Sequence, residues 1–379
     1  MLQWLRALLR GKKAAPHREW PARPATSAIV AAPQPTAQGS AMHAVAVSPP
    51  APDAAIAEQA SPGDAAAPQR SPDLPAASAE PDPRVEPAVA ALTEYFSSNP
   101  PRLGSFPGTA ARILQVFRED EPDFNRVVHE LQQDAAVVTK LLNVANSAFF
   151  GGTGSVDDIR GAVLRIGMHD VSQIALGVAG QSLFEPSSRS AFSLLPAKWN
   201  ELFHTSMSAA FATSWLSQVA RVGRSDQAFL TGLLHDIGLP IALRGLAQLV
   251  LDSALDRSVL EVAESVLDRV HIDLGRSVTT LAGLPDYLCA AASLHHDAEV
   301  GPEHVEVHLV RVIDGIAARR RAPLTPAQQD ALDRSATALS LDPRWIRVAV
   351  TEYETLAAQV TRMFGIADPF APPASPAPR

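Results

Sequence analysis

The 379-residue chain is 46% hydrophobic with a formal net charge of −8 and a pI near 5.8. This balance suits a globular protein and argues against a nucleic-acid interface, which needs concentrated basic charge to displace counterions. Its single cysteine, Cys289, excludes an intramolecular disulfide, no run of 18 apolar residues suggests a membrane span, and no export signal is legible, so a cytoplasmic location is expected.

Residues 1–15 form a short basic amphipathic segment, with Leu2, Leu5, Leu8 and Leu9 on one helical face and Arg6, Arg10, Lys12 and Lys13 beside it. Through residues 2–13 it would lie weakly on an anionic membrane surface or dock on a partner; it would equally serve as a frayed end with no role. Residues 16–87 hold 15 of the 32 prolines, interleaved with Ala, Ser, Gln and Asp and with very few large apolar side chains. Such a segment buries too little surface to offset chain entropy, so a disordered Pro/Ala-rich linker is expected. Residues 366–379 read as a second tail of the same kind.

From residue 101 onward apolar positions recur every three or four residues without alternating strand patterns, which predicts an all-α fold. Helices are expected at 107–117, with Ile113, Leu114 and Phe117 inward, and at 123–131. Asp134 can cap the next, whose stripe of Val137, Val138, Leu141, Leu142 and Ala145 runs to a turn at Gly151, Gly152 and Gly154. Asp157 or Asp158 caps a helix closed by Gly167, and Asp170 starts another. A long helix over 199–219 carries Leu202, Phe203, Met207, Phe211 and Trp215, with His204 among them. Asp226 is expected to cap a short helix that Gly238 and Pro240 break directly after His235 and Asp236. Further helices are predicted at 258–270, 273–282, 286–296, 304–319, 326–339 and 343–364. Those beyond residue 320 form a C-terminal extension, whose apolar face of Trp345, Ile346, Leu356, Val360 and Phe364 would cover the bundle or make a homodimer seam.

The run LLHDIG at 233–238 sets an imidazole beside a carboxylate at the end of an apolar helix. Together these atoms suit a borderline divalent ion such as iron, manganese, nickel or zinc, although a lone His-Asp pair also reads as a solvated helix end. Seven of the eleven histidines lie between residues 204 and 308. His204 is mid-helix, His271 precedes a helix, His295 and His296 end one, and Asp314 sits within VIDGIA, where an unpaired buried carboxylate would be costly. A helical bundle can bring such residues to one centre. His295 and His296 would point to different sides of their helix, so at most one is expected there.

The stretches DAAVVTKLLNVANSAFFG at 134–151 and SVDDIRGAVLRIG at 155–167 are followed by His204, LLHDIG, His271 with Leu274 and Gly275, Leu284 with Pro285, and His295 with His296. In this order they resemble an HDOD protein, a divergent branch of the HD phosphohydrolase superfamily found in bacterial signalling, over about residues 101–320. The resemblance implies an HDOD/HD-type helical bundle. In active HD enzymes a His, a His-Asp pair and a distant Asp hold one metal, roles that His204, His235, Asp236 and Asp314 match by order. His271, His295 and His296 resemble the added histidines of the HD-GYP phosphodiesterases, which carry two or three metals. Such ions lower the pKa of a bound water and stabilise the attacking and leaving oxygens at phosphorus.

Two departures weigh against that chemistry. Leu239 stands where active HD-GYP enzymes place a Lys, and the run from Asp297 to Gly301 is unlike their Gly-Tyr-Pro motif. No residue is therefore assigned a catalytic role. The resemblance implies a non-catalytic regulatory module that contacts signalling proteins. The alternatives are a metal-dependent phosphohydrolase or cyclic-nucleotide phosphodiesterase, and a sensor that binds metal or nucleotide without turnover. Within 134–151, Leu141, Leu142, Val144 and Ala145 read as packing and Asn143 and Asn146 as bonded to backbone. Asn146, Ser147, Phe149 and Phe150 are alternatively a partner-facing turn.

Overall fold

The computed structural model describes residues 82–370 apart from 102–111, 113–115, 117–122, 148–149, 151–153 and 187. Outside them lie the basic segment 1–15, nearly all of the linker, Phe149, Gly151, Gly152, residues 371–379 and most of the 107–117 helix, of which Arg112 and Val116 are helical.

The described residues form an all-α bundle with no strand. Its helices are α1 Val85–Ser98, α2 Phe124–Leu131, α3 Ala135–Ala145, α4 Ile159–Ile166, α5 Met168–Gly180, α6 Arg189–Leu194, α7 Pro196–Ala220, α8 Ser225–Leu234, α9 Gly238–Leu251, α10 Ala263–Leu281, α11 Asp286–Leu294, α12 Val305–Arg319, α13 Pro326–Ala338 and α14 Pro343–Phe364. Several starts are set by a side-chain oxygen that accepts from an otherwise unpaired first-turn N–H. Asp123, Asp134, Asp158 and Asp342 do so, and Thr325 forms a full capping box with Gln328.

The molecule is organised around α7. Leu202, Phe203, Met207, Ala210, Phe211 and Leu216 are buried on it together with small polar residues, so the helix is enclosed on nearly all sides. Helices α8, α12 and α14 pack against it, while α9 and α10 pair alongside, with α11 against α10 and α13 against α12. Gly232 lets α8 approach α7 closely, because a Cβ there would lie 2.6 Å from the Ala209 carbonyl oxygen.

Several sequence expectations need correction. The linker boundary at Pro87 falls inside α1, since a proline fits a first turn that has no N–H to bond. Asp170 lies in the first turn of α5, which begins at Met168 straight from Gly167 at φ +94°. Asp226 is likewise a first-turn residue, because α8 starts at Ser225. The short helix does break at His235 and Asp236, but Gly238 and Pro240 occupy the first turn of another helix, α9, which the glycine and proline conceal in the sequence. The predicted helices on either side of His271 are one helix, α10, and Asp273, the expected start of the second, is exposed within it. Helix α14 covers the bundle through Ala349, Tyr353, Leu356, Ala357 and Val360. Beyond it residues 366–370 fold back onto the protein instead of starting a tail, because Asp368 pairs with Arg320.

The segment Ser225–Leu251 has the length and mean hydropathy of a membrane span, but 72% of its most apolar window is buried inside the bundle. It forms α8 and α9, separated by a turn at residues 235–237.

Candidate metal centre

That turn creates the site. The His235 N–H still donates to the Thr231 carbonyl in α8, at 2.9 Å, whereas the Leu239 N–H donates to the Asp236 carbonyl at 2.9 Å as α9 begins. His235 and Asp236 therefore sit in the turn between two helices, and they line a cleft of about 410 Å³ between α7, α10, α12 and the end of α11. Gly238 allows α10 to close on this turn: a Cβ would overlap the His271 carbonyl and lie 2.9 Å from the Gly275 nitrogen.

Asp236 is the hub. Its Oδ1 lies 3.1 Å from His295 Nε2 and 3.8 Å from His271 Nε2, and its Oδ2 lies 3.2 Å from His235 Nε2. His235 Nε2 is also 3.6 Å from Asp314 Oδ1. The donor atoms of Asp236, His271, His295 and His296 fall within 4.8 Å of one another, as do those of His235, Asp236 and Asp314. Two ligand sets thus share one carboxylate.

Three of the imidazoles are aimed by their own helices. His235 Nδ1 donates to the Gly232 carbonyl at 2.9 Å, His271 Nδ1 to Asp268 at 2.9 Å, and His295 Nδ1 to Ala291 at 2.7 Å. A carbonyl only accepts, so Nδ1 carries a proton in each ring and Nε2 is the nitrogen presented to the cleft, where a cation can take its lone pair in place of a proton. His235 Nε2 is buried and makes no hydrogen bond of adequate geometry. Such an orphaned atom beside two carboxylates fits a cation, and the nitrogen and oxygen donors suit a borderline divalent one.

The electrostatics agree. Burial opposes charge on His235, yet Asp236 and then Asp314 outweigh it and hold the imidazole well above the usual histidine range. Burial likewise opposes charge on Asp236 and Asp314, but His235 holds Asp236 well below the carboxylate range and lowers Asp314. In the metal-free protein a proton on His235 thus supplies the positive charge that the carboxylates require. His296 is pushed down to about 4, first by desolvation and then by His295, because its ring is crowded by its neighbours although the residue as a whole remains exposed at the rim.

His204 does not join either set. Its Nε2 lies 3.2 Å from the Ala357 carbonyl and 3.1 Å from Thr361 Oγ1, so it is committed to α14, and burial lowers its pKa. The cleft-facing positions of α7 are Lys198, Glu201, Leu202, Thr205 and Ala209. His295 and His296 both join, contrary to the helix-side argument, because α11 ends at Leu294 and the pair lies in the following turn. His271, mid-helix in α10, is buried.

The turn after α3 is internally bonded. Asn146 Nδ2 donates to the Val156 carbonyl at 2.7 Å and its Oδ1 accepts from the Val156 N–H at 2.7 Å. Ser147 Oγ donates to the Val144 carbonyl, and Phe150 is buried. These three candidate partner residues serve the fold. Sequence reasoning missed Lys198, Arg311, Arg320 and Arg321, which line the same cleft. For Arg311 the signal was available, since it lies one turn before Asp314 on the same helix, α12.

A helical bundle with a His-Asp pair at a helix break, and further histidines converging on it, is the arrangement that the HDOD resemblance implies. The chain belongs to the HDOD domain family, which matches residues 103–298. A crystal structure of an HDOD domain protein with unknown function from Geobacter sulfurreducens superimposes with a TM-score of 0.54 at 20% identity, covering 74% of this chain and 99% of that one. A protein of Shewanella amazonensis SB2B, provisionally called a metal-dependent phosphohydrolase, gives 0.54 at 21% identity, with 73% and 99% covered. One of Marinobacter aquaeolei VT8, provisionally called a signal transduction protein, gives 0.50 at 20%, with 73% and 66% covered. An uncharacterized protein of Treponema pallidum (strain Nichols) is 24% identical over 219 residues, 56% of this chain and 41% of the relative. The chain therefore matches less than half the length of that relative.

Proposed function

We propose that this HDOD protein is a signal-transduction module whose cleft binds a divalent cation and which acts on protein partners without turning over a substrate. The reading is carried by the convergence of His235, His271 and His295 Nε2 on Asp236, each ring fixed through Nδ1 to a backbone carbonyl. Asp236 would bridge the two ligand sets, with His271, His295 and His296 on one side and His235 and Asp314 on the other. A bound ion supplies Lewis acidity and offsets the two carboxylates. The absence of turnover is supported by Leu239, an apolar residue where active relatives of the HD-GYP type carry a cation, and by the commitment of His204 to α14. A structural neighbour called a signal transduction protein supports the regulatory part.

Elemental analysis of protein purified without added metal, with calorimetric titration of iron, manganese, nickel and zinc, tests the reading. Bound metal that is lost in Asp236→Ala, with no hydrolysis of phosphodiesters, is the expected result. Protein that neither carries nor titrates metal would overturn it, as would turnover abolished by Asp236→Ala.

A second reading, a metal-dependent phosphohydrolase, has one observation in its favour. Arg311 is buried, lines the cleft one turn from Asp314, and leaves its Nε without a hydrogen-bond partner. Hydrolysis of mononucleotides or cyclic dinucleotides that is lost in Arg311→Gln would favour it.

A further inference from the structure

The C-terminal extension contributes more than a cover. Helix α14 ends at Gly365, whose left-handed conformation (φ +67°) turns the chain back across the bundle. Three residues later Asp368 meets Arg320 edge to edge, with Oδ2 2.7 Å from Nη2 and Oδ1 3.4 Å from Nη1. The Phe370 N–H donates to Asp368 Oδ1 at 2.9 Å and fixes the carboxylate's orientation. The Phe370 ring lies 4.5 Å from the Arg321 guanidinium and faces the same cleft as His235 and Asp236. The Arg320 and Asp368 side chains are only 9% and 11% exposed, so the guanidinium holds its carboxylate largely out of solvent, with the Tyr353 ring 5.7 Å from it.

We propose that residues 366–370 are a strap filling an anion subsite of the cleft, where a phosphate group competes with the Asp368 carboxylate for Arg320. A guanidinium fork binds two oxygens of a phosphate in the same edge-on manner as a carboxylate, and the second negative charge favours phosphate. Arg321 and Lys198 line the same cleft and add positive charge, partly offset by Glu201 at 3.7 Å and 3.0 Å respectively. Displacing the strap does not strand Arg320, because its Nε keeps Glu354 at 2.7 Å. A carboxylate tethered by a short turn acts at an effective concentration of order millimolar, which a phosphate-bearing ligand can match. Arg320 and Asp368 both lie beyond the HDOD match at 103–298.

The test is calorimetric titration of inorganic phosphate and of phenyl phosphate into the metal-free full chain and its Asp368→Asn, Phe370→Ala and Arg320→Gln variants. Asp368→Asn should bind phosphate at least about tenfold more tightly than the parent chain, because the competing charge is removed. Arg320→Gln should abolish binding. A gain for both titrants assigns the subsite to free phosphate, and a gain for phenyl phosphate alone assigns it to an organic phosphate. Phe370→Ala should reproduce part of the gain by loosening the strap. Equal affinities in the parent chain and Asp368→Asn would overturn the proposal. So would an Asp368→Asn variant that melts lower without any gain, which would make residues 366–370 a structural anchor.

Discussion

His295 Nε2 lies 3.1 Å from Asp236 Oδ1, although 59 positions of chain separate the two residues. The contact exists because α8 ends one residue before His235 and α11 ends one residue before His295, so two helix ends meet across the cleft. Asp236→Ala and His295→Ala should each lower divalent-metal affinity by more than the ~10–100-fold typical of supporting residues around a metal. Titration of the metal-free variants checks this, with circular dichroism to confirm that the helices persist.

His204→Ala should behave differently. It should leave metal stoichiometry unchanged while destabilising the protein by about 1–3 kcal/mol, because the Ala357 carbonyl and Thr361 hydroxyl lose their partner against α14. Denaturant unfolding beside elemental analysis separates the two effects. Loss of metal from His204→Ala would return this histidine to the ligand set.

Gly238→Ala should cost about 1–3 kcal/mol, since a Cβ at this position overlaps the α10 backbone at His271. The same displacement moves His271 relative to Asp236, so metal affinity should fall in parallel with stability. Chemical denaturation and metal titration of the one variant test that coupling.

Acidity gives a fourth test. His235 is held above its ordinary value of 6.5 by Asp236 and Asp314, despite burial. Its proton therefore contributes stability that is fully present below about pH 6.5 and is lost as the pH rises through the raised value. The melting temperature of the metal-free protein should fall across that window, and His235→Gln should flatten the profile. Because a metal must displace this proton, affinity should rise by about tenfold per pH unit while His235 remains protonated. Calorimetry in buffers of different ionisation enthalpy would count the released proton.

Much of this architecture is legible from local chemistry. Asp123, Asp134, Asp158, Thr325 and Asp342 announce helix starts because a short oxygen-bearing side chain can satisfy first-turn N–H groups. The His235-Asp236 pair stands out for its setting in an apolar run. What escaped is decided by tertiary placement. Helix α9 hides behind Gly238 and Pro240, which are breakers in a helix interior but acceptable in its first turn. His271 resembles a pre-helix residue because Asp273 imitates a cap, although packing carries α10 straight through it. His204 and His296 differ in fate through contacts that no spacing rule contains: one is covered by α14, and the other lies beyond the end of α11.

The tethering of His235, His271 and His295 to carbonyls three or four residues back on the chain has a consequence for the proposed regulatory function. Rings already locked in their receiving pose have little reason to rotate when a cation arrives, so occupancy would leave the outline of the cleft nearly constant. What changes is the charge at its floor, where a divalent ion would replace the single proton held by His235 and make the field more positive. A downstream protein reading this module would then sense voltage rather than shape, and would discriminate loaded from empty by the charge it presents in return.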